Sequence, residues 1–120
     1  MKYDADGIMS DEDIKYRYSN TGYTLGSPKL LRQDAKNQIT AIFEKTSPFA
    51  GLGLPDSPYV MDALDTMQKI AQGWVDKGQG KTPITPTTRE VQEYKSIARR
   101  VVEQVNNDFR QEARYLRGDA

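Results

Sequence analysis

The side chains available for chemistry in this chain are carboxylates, amines, guanidinium groups and phenols, because its 120 residues include neither histidine nor cysteine. Without histidine the commonest general base and metal ligand is missing. Without cysteine there is no thiolate nucleophile, no disulfide and no thiolate zinc site. Paired acids remain. Asp62 and Asp65 stand three apart, and Asp108 and Glu112 four apart, spacings that bring two helical carboxylates onto one face where they can share a proton or a cation. No convergent partner such as Glu-x-x-His accompanies either pair. The reading is therefore a protein that is not an enzyme, with no catalytic, cofactor-binding or metal-binding residue assigned.

Two other groups of side chains suit contact with a partner. Tyr3, Tyr16, Tyr18 and Tyr23 lie in an otherwise polar stretch, residues 1–26, that also carries Asp4, Asp6, Asp11, Glu12 and Asp13. A tyrosine ring gives a large contact area and has little rotamer freedom to lose. Arg110, Arg114 and Arg117 follow one another at intervals of four and three, one stripe on a helix, able to hold phosphate or to clamp a partner's carboxylates. Ion pairing with Asp108 and Glu112 on a solvated face is the plainer use of the same residues.

Positioning these groups falls to helices. Ser27-Pro28 reads as an N-cap followed by proline at the first helical position, the serine side chain accepting from an unpaired backbone N–H. Leu31, Ala35, Ile39 and Ile42 then recur at helical spacing until Ser47-Pro48 ends the run. Ser57-Pro58 repeats the opening, and Val60, Leu64, Met67, Ala71 and Trp74 continue it to Lys77-Gly78. Thr87 and Glu90 have capping-box spacing ahead of a third helix carrying Val91, Tyr94, Ala98, Val101, Val105 and Phe109. Uninterrupted to Arg117, it measures about 45 Å at 1.5 Å per residue, long enough to run past its neighbours. Phe49, Leu52 and Leu54 in the connection before Ser57 are expected to cap one end of the bundle.

The expected fold is all-α: a three-helix antiparallel bundle over residues 27–118 with a long C-terminal helix. Residues 1–26 form an extended docking arm in this reading, too poor in aliphatic side chains to offset its ordering entropy alone. Ile14, Tyr16 and Tyr18 alternate with Lys15 and Arg17 as a short strand would, a pattern suited to a neighbour's sheet edge. The other reading of the arm folds its tyrosines back onto the bundle.

Charge narrows the partners. Seventeen Lys and Arg balance seventeen Asp and Glu, so no net field steers the molecule toward nucleic acid, and contact with DNA would be local. No apolar run approaches the roughly 18 residues of a membrane span, and the acidic start does not read as a signal peptide. No membrane contact and synthesis in the cytoplasm are the expectations.

The run from Asp62-Ala63-Leu64-Asp65-Thr66-Met67 to Gly73-Trp74-Val75-Asp76-Lys77-Gly78 resembles a helix of the head-completion, or neck adaptor, proteins of tailed bacteriophages. Those helices tend to open with acidic and aliphatic residues and to close with a tryptophan shortly before glycine. The resemblance covers about seventeen residues. It implies a structural virion protein of the neck, made in the host cytoplasm, that joins portal and tail as a head-to-tail connector and helps retain packaged DNA. It also implies portal and tail proteins as partners, and a homo-oligomeric ring matched to the portal, dodecameric in that scheme. The tyrosine arm would then dock on an adjacent ring, and Arg110, Arg114 and Arg117 would meet acidic protein or make non-specific DNA contact. The chain departs from the family in having its extension at the N-terminus. Two other functions stay open: a phage-encoded inhibitor of a host factor whose acidic arm mimics nucleic acid, and a DNA-packaging helical protein whose binding falls steeply with salt.

Overall fold

The computed structural model describes residues 1–19, 27–78 and 85–116. Their named elements are all helices: α1 Asp11–Ser19, α2 Pro28–Thr46, a single 3-10 turn Ala50–Leu52, α3 Pro58–Gly78 and α4 Thr88–Leu116. The all-α expectation holds, but four α-helices stand among the described residues where three were expected.

The additional helix corrects the extended arm. Asp11, Glu12 and Asp13 fill the first turn of α1 and Arg17 its last, so both ends suit the helix dipole. Ile14 and Tyr18, four apart, share its buried face, while Tyr16 points outward. The alternation that suggested a strand is thus outweighed by an i, i+4 pair with a core to enter. Ahead of α1 the chain doubles back: Tyr3 and Met9 form an antiparallel bridge, and the turn is closed by Asp4 N–H donating to Ile8 and Gly7 N–H donating to Asp4. Gly7 has φ +98°, and a Cβ there would stand 2.9 Å from the carbonyl oxygen of Ala41, so only glycine lets this turn close against α2.

The long helices begin and end near the residues that mark them in the sequence. Thr87 and Glu90 form the reciprocal box, Glu90 N–H donating to Thr87 Oγ1 at 3.1 Å and Thr87 N–H to Glu90 Oε1 at 3.0 Å. Ser27 differs. It occupies the N-cap of α2, yet its side chain makes no capping bond, and the first turn is held by Leu31 N–H donating to the Ser27 carbonyl.

Each of α2, α3 and α4 packs on the other two, and α1 lies on α3 and α4. Tyr59 at the start of α3 reaches Asp108 late in α4, while Trp74 near the end of α3 meets Glu90 and Tyr94 early in α4. Phe43 near the end of α2 stacks on Phe109, and Phe49 closes over the same ring. The core therefore reaches as far along α4 as Phe109. Phe49 and Leu54 pack against it, but Leu52 does not cap the bundle and is 70% exposed. No described helix is long and apolar enough to cross a membrane.

Candidate protein-binding interface

Lys95 decides how the N-terminal segment sits. It follows Val91 by four residues and so faces the core of α4, and it is fully buried. A buried ammonium must be paired. Its Nζ bonds Asp4, and Asp11 at 2.7 Å. One turn later Arg99 holds Asp6 through Nε at 2.7 Å and Asp4 through Nη2 at 2.9 Å. Gln92 donates to the second oxygen of Asp11 at 2.5 Å. Two cations and one amide on one face of α4 thus clasp three carboxylates of the first eleven residues. Met9 N–H donates to Gln38 on α2, and Ile8, Met9, Ile14 and Tyr18 enter the core beside the clasp.

The clasp shifts its own ionisations. The Arg99 hydrogen bond, opposed by partial burial, holds Asp6 below the ordinary carboxylate value of 3.8. For Asp11 burial pushes upward, but the bonds from Lys95 and Gln92 together outweigh it and its value also falls. Arg99 is raised, first by the Asp6 bond.

A second polar knot anchors the end of α1. Buried Asp34 on α2 accepts from the Tyr18 hydroxyl at 2.6 Å and pairs with Arg17 at 2.9 Å. The Tyr18 ring meets Trp74 edge-on at 5.1 Å and Tyr94 at 6.5 Å, and Trp74 donates from Nε1 to Glu90 at 3.1 Å. Trp74 is the core aromatic at this end of the bundle. Burial pushes the phenols of Tyr18 and Tyr94 well above the ordinary range, so both stay neutral, and the Tyr18 hydroxyl is the one that donates to Asp34.

The four arm tyrosines therefore do not act as a set. Tyr18 belongs to the core, which corrects its assignment to a docking surface. Tyr3 and Tyr16 are 58% and 63% exposed. Tyr23 lies outside the described residues. Tyr3 donates its hydroxyl to the Met1 sulfur at 3.9 Å, and Met1, Met9, Asp13, Tyr16 and Arg17 line a shallow cleft of about 90 Å³. Met1, Tyr3 and Tyr16 thus form one exposed apolar and aromatic surface on a seated scaffold.

Of the arginine stripe, Arg110 is exposed and donates to Asn107 Oδ1 at 3.2 Å. Arg114 lies on α4 with its side chain outside what is described, and Arg117 lies outside the described residues. One acid of each pair is engaged elsewhere: Asp65 bonds Arg32, and Asp108 accepts from Tyr59 at 2.5 Å. Among the described residues no three potential ligands converge on a metal position. The clasp itself escaped the sequence reading, although Lys95 on the apolar stripe of α4 and three aspartates near the chain start were its visible signal. Searches of family models, curated proteins and solved structures find no match to this chain.

Proposed function

We propose that this chain is a structural adaptor working through protein contacts, and that it serves as a head-to-tail connector of a tailed bacteriophage, joining portal and tail from within a homo-oligomeric ring. The observation that carries the reading is the Met1, Tyr3 and Tyr16 surface. Exposed clustered aromatic and thioether side chains favour a protein partner. Because the clasp already holds the segment that bears them, docking does not have to order that segment again. In this reading α2, α3 and α4 act as an antiparallel three-helix bundle that spaces the N-terminal face from the arginine-bearing end of α4.

The inhibitor alternative needs acids free to imitate phosphate. Asp4, Asp6 and Asp11 are engaged with Lys95 and Arg99, which favours the adaptor.

Light scattering of the full chain, alone and mixed with purified portal protein, tests the proposal. Ring-sized or portal-bound mass is expected, and Tyr3→Ala with Tyr16→Ala should abolish it while leaving the helical circular dichroism unchanged. A chain that stays monomeric under both conditions, or that binds portal equally well without the two rings, overturns it.

A further inference from the structure

A second surface lies between α2 and α3. Lys29, Arg32 and Lys36 follow at three and four residues along one edge of α2, facing Met61 and Leu64 of α3 across a groove of about 420 Å³, with Asp56 on the opposite wall. Met61 is 41% exposed in its floor. Arg32 spans the groove, bonding Asp65 and touching the Met61 sulfur at 3.7 Å.

The cations here differ from those of α4. Lys95 and Arg99 are consumed by the N-terminal aspartates, whereas Lys29 and Lys36 stand exposed on the groove edge and make no ion pair with any described side chain. The first turn of α2 contains no acid at all. Lys29 and Arg32 therefore sit near the positive end of the helix dipole, a placement that works against the helix itself. Arg32 ties α2 to α3 through Asp65, but Lys29 and Lys36 make no such tie and add to one local positive field.

We propose that this groove docks an amphipathic helical segment of a partner protein, apolar along its centre and acidic along the flank that meets α2. The apolar centre covers Met61, and the acidic flank pairs with Lys29 and Lys36. These two lysines are separated by about 10 Å along the axis at 1.5 Å per residue, so the partner's acids recur over two helical turns. The opposite wall argues against a nucleic acid. Asp56 lines the α3 side and the exposed Asp62 borders it, where a phosphate backbone would be repelled, while a partner helix can place lysine there. This site does not depend on the Met1, Tyr3 and Tyr16 surface.

The test uses the isotope-labelled full chain and two synthetic helical peptides sharing one leucine stripe, the first with glutamates on one flank and lysines on the other, the second with lysines on both. The first peptide is expected to shift the amide resonances of residues 29–36, 56 and 61–64. Lys29→Glu with Lys36→Glu should weaken it about tenfold or more, Met61→Ser should weaken it as well, and Tyr3→Ala with Tyr16→Ala should leave it unchanged. The lysines are exposed, and matching circular dichroism shows the variant folded. Equal binding of both peptides, shifts elsewhere on the molecule, no shift at millimolar peptide, or displacement of the peptide by a short DNA duplex each overturns the proposal.

Discussion

Removing the carboxylates around Lys95 should damage the protein more than removing Lys95. In Asp4→Asn with Asp11→Asn the ammonium keeps its place in the core and loses both counter-charges. Breaking a buried ion pair from one side costs about 3–5 kcal/mol. Asp4 and Asp11 keep 35% and 28% of their side-chain exposure, so water screens them and the low end applies, about 3 kcal/mol. With a urea slope of about 1.5 kcal/mol/M the unfolding midpoint would drop by about 2 M. Lys95→Met behaves differently. Asp4 retains Arg99, Asp11 retains Gln92, and the thioether fills most of the vacated volume, so the loss should stay within about 1 kcal/mol. Adding Lys95→Met to the double variant should then restore most of the stability.

Urea unfolding followed by circular dichroism gives the three free energies. Hydrogen exchange shows whether residues 1–19 open first, the route by which a stranded Lys95 would reach water. The reasoning is refuted if the Asp4, Asp11 variant matches the unaltered chain within about 0.5 kcal/mol, or if Lys95→Met proves as damaging as that variant.

Acid should act on the same clasp. Asp6 and Asp11 both titrate below 3.8 in the folded chain, so the unfolded state binds protons first as pH falls; their contribution is complete well above 3.8 and is lost as pH drops through the folded values. Exchange protection of residues 1–19 should accordingly fall below about pH 4, and protection unchanged to pH 2 would contradict the assignment. Gly7→Ala should lower stability by about 1–3 kcal/mol through the positive φ and the close approach to Ala41, measured by thermal unfolding. Thr87→Ala should cost about 1 kcal/mol by removing one half of the box at the start of α4, and a helix start with unchanged amide exchange would contradict that role.

The three long helices were legible because their boundaries are written locally. Proline after serine at positions 28 and 58, the Thr87 and Glu90 pair, and apolar residues at intervals of three and four need no knowledge of the rest of the fold. The N-terminal segment was not legible by the same means. It has few aliphatic residues, and what seats it are partners 91 and 84 residues along the chain, Lys95 for Asp4 and Asp11. A count of charges treats all of these as surface groups. Tyr18 failed for a related reason: its alternation with Arg17 suited a strand, and only the presence of Trp74, Tyr94 and Asp34 around it makes the helical pairing with Ile14 the better one.

The zero net charge conceals a division of labour that folding creates. A segment with acids at positions 4, 6 and 11 looks, as sequence, like an anionic arm, and a helix with Lys95 and Arg99 looks like a cationic face. Joined, they offset one another to within a single negative charge, and neither set stands free for a partner. The charges left facing solvent without such a counterpart include Lys29 and Lys36 on α2, which sequence reasoning passed over because they lie in an ordinary amphipathic helix. The exposed Met1, Tyr3 and Tyr16 surface depends on the same pairing, since it is the clasp beneath that keeps those side chains in one place. A variant that opens the clasp should therefore weaken docking through Tyr3 and Tyr16 while leaving the α2 groove competent, and that separation ties the stability of the N-terminal segment directly to one of the two surfaces and not to the other.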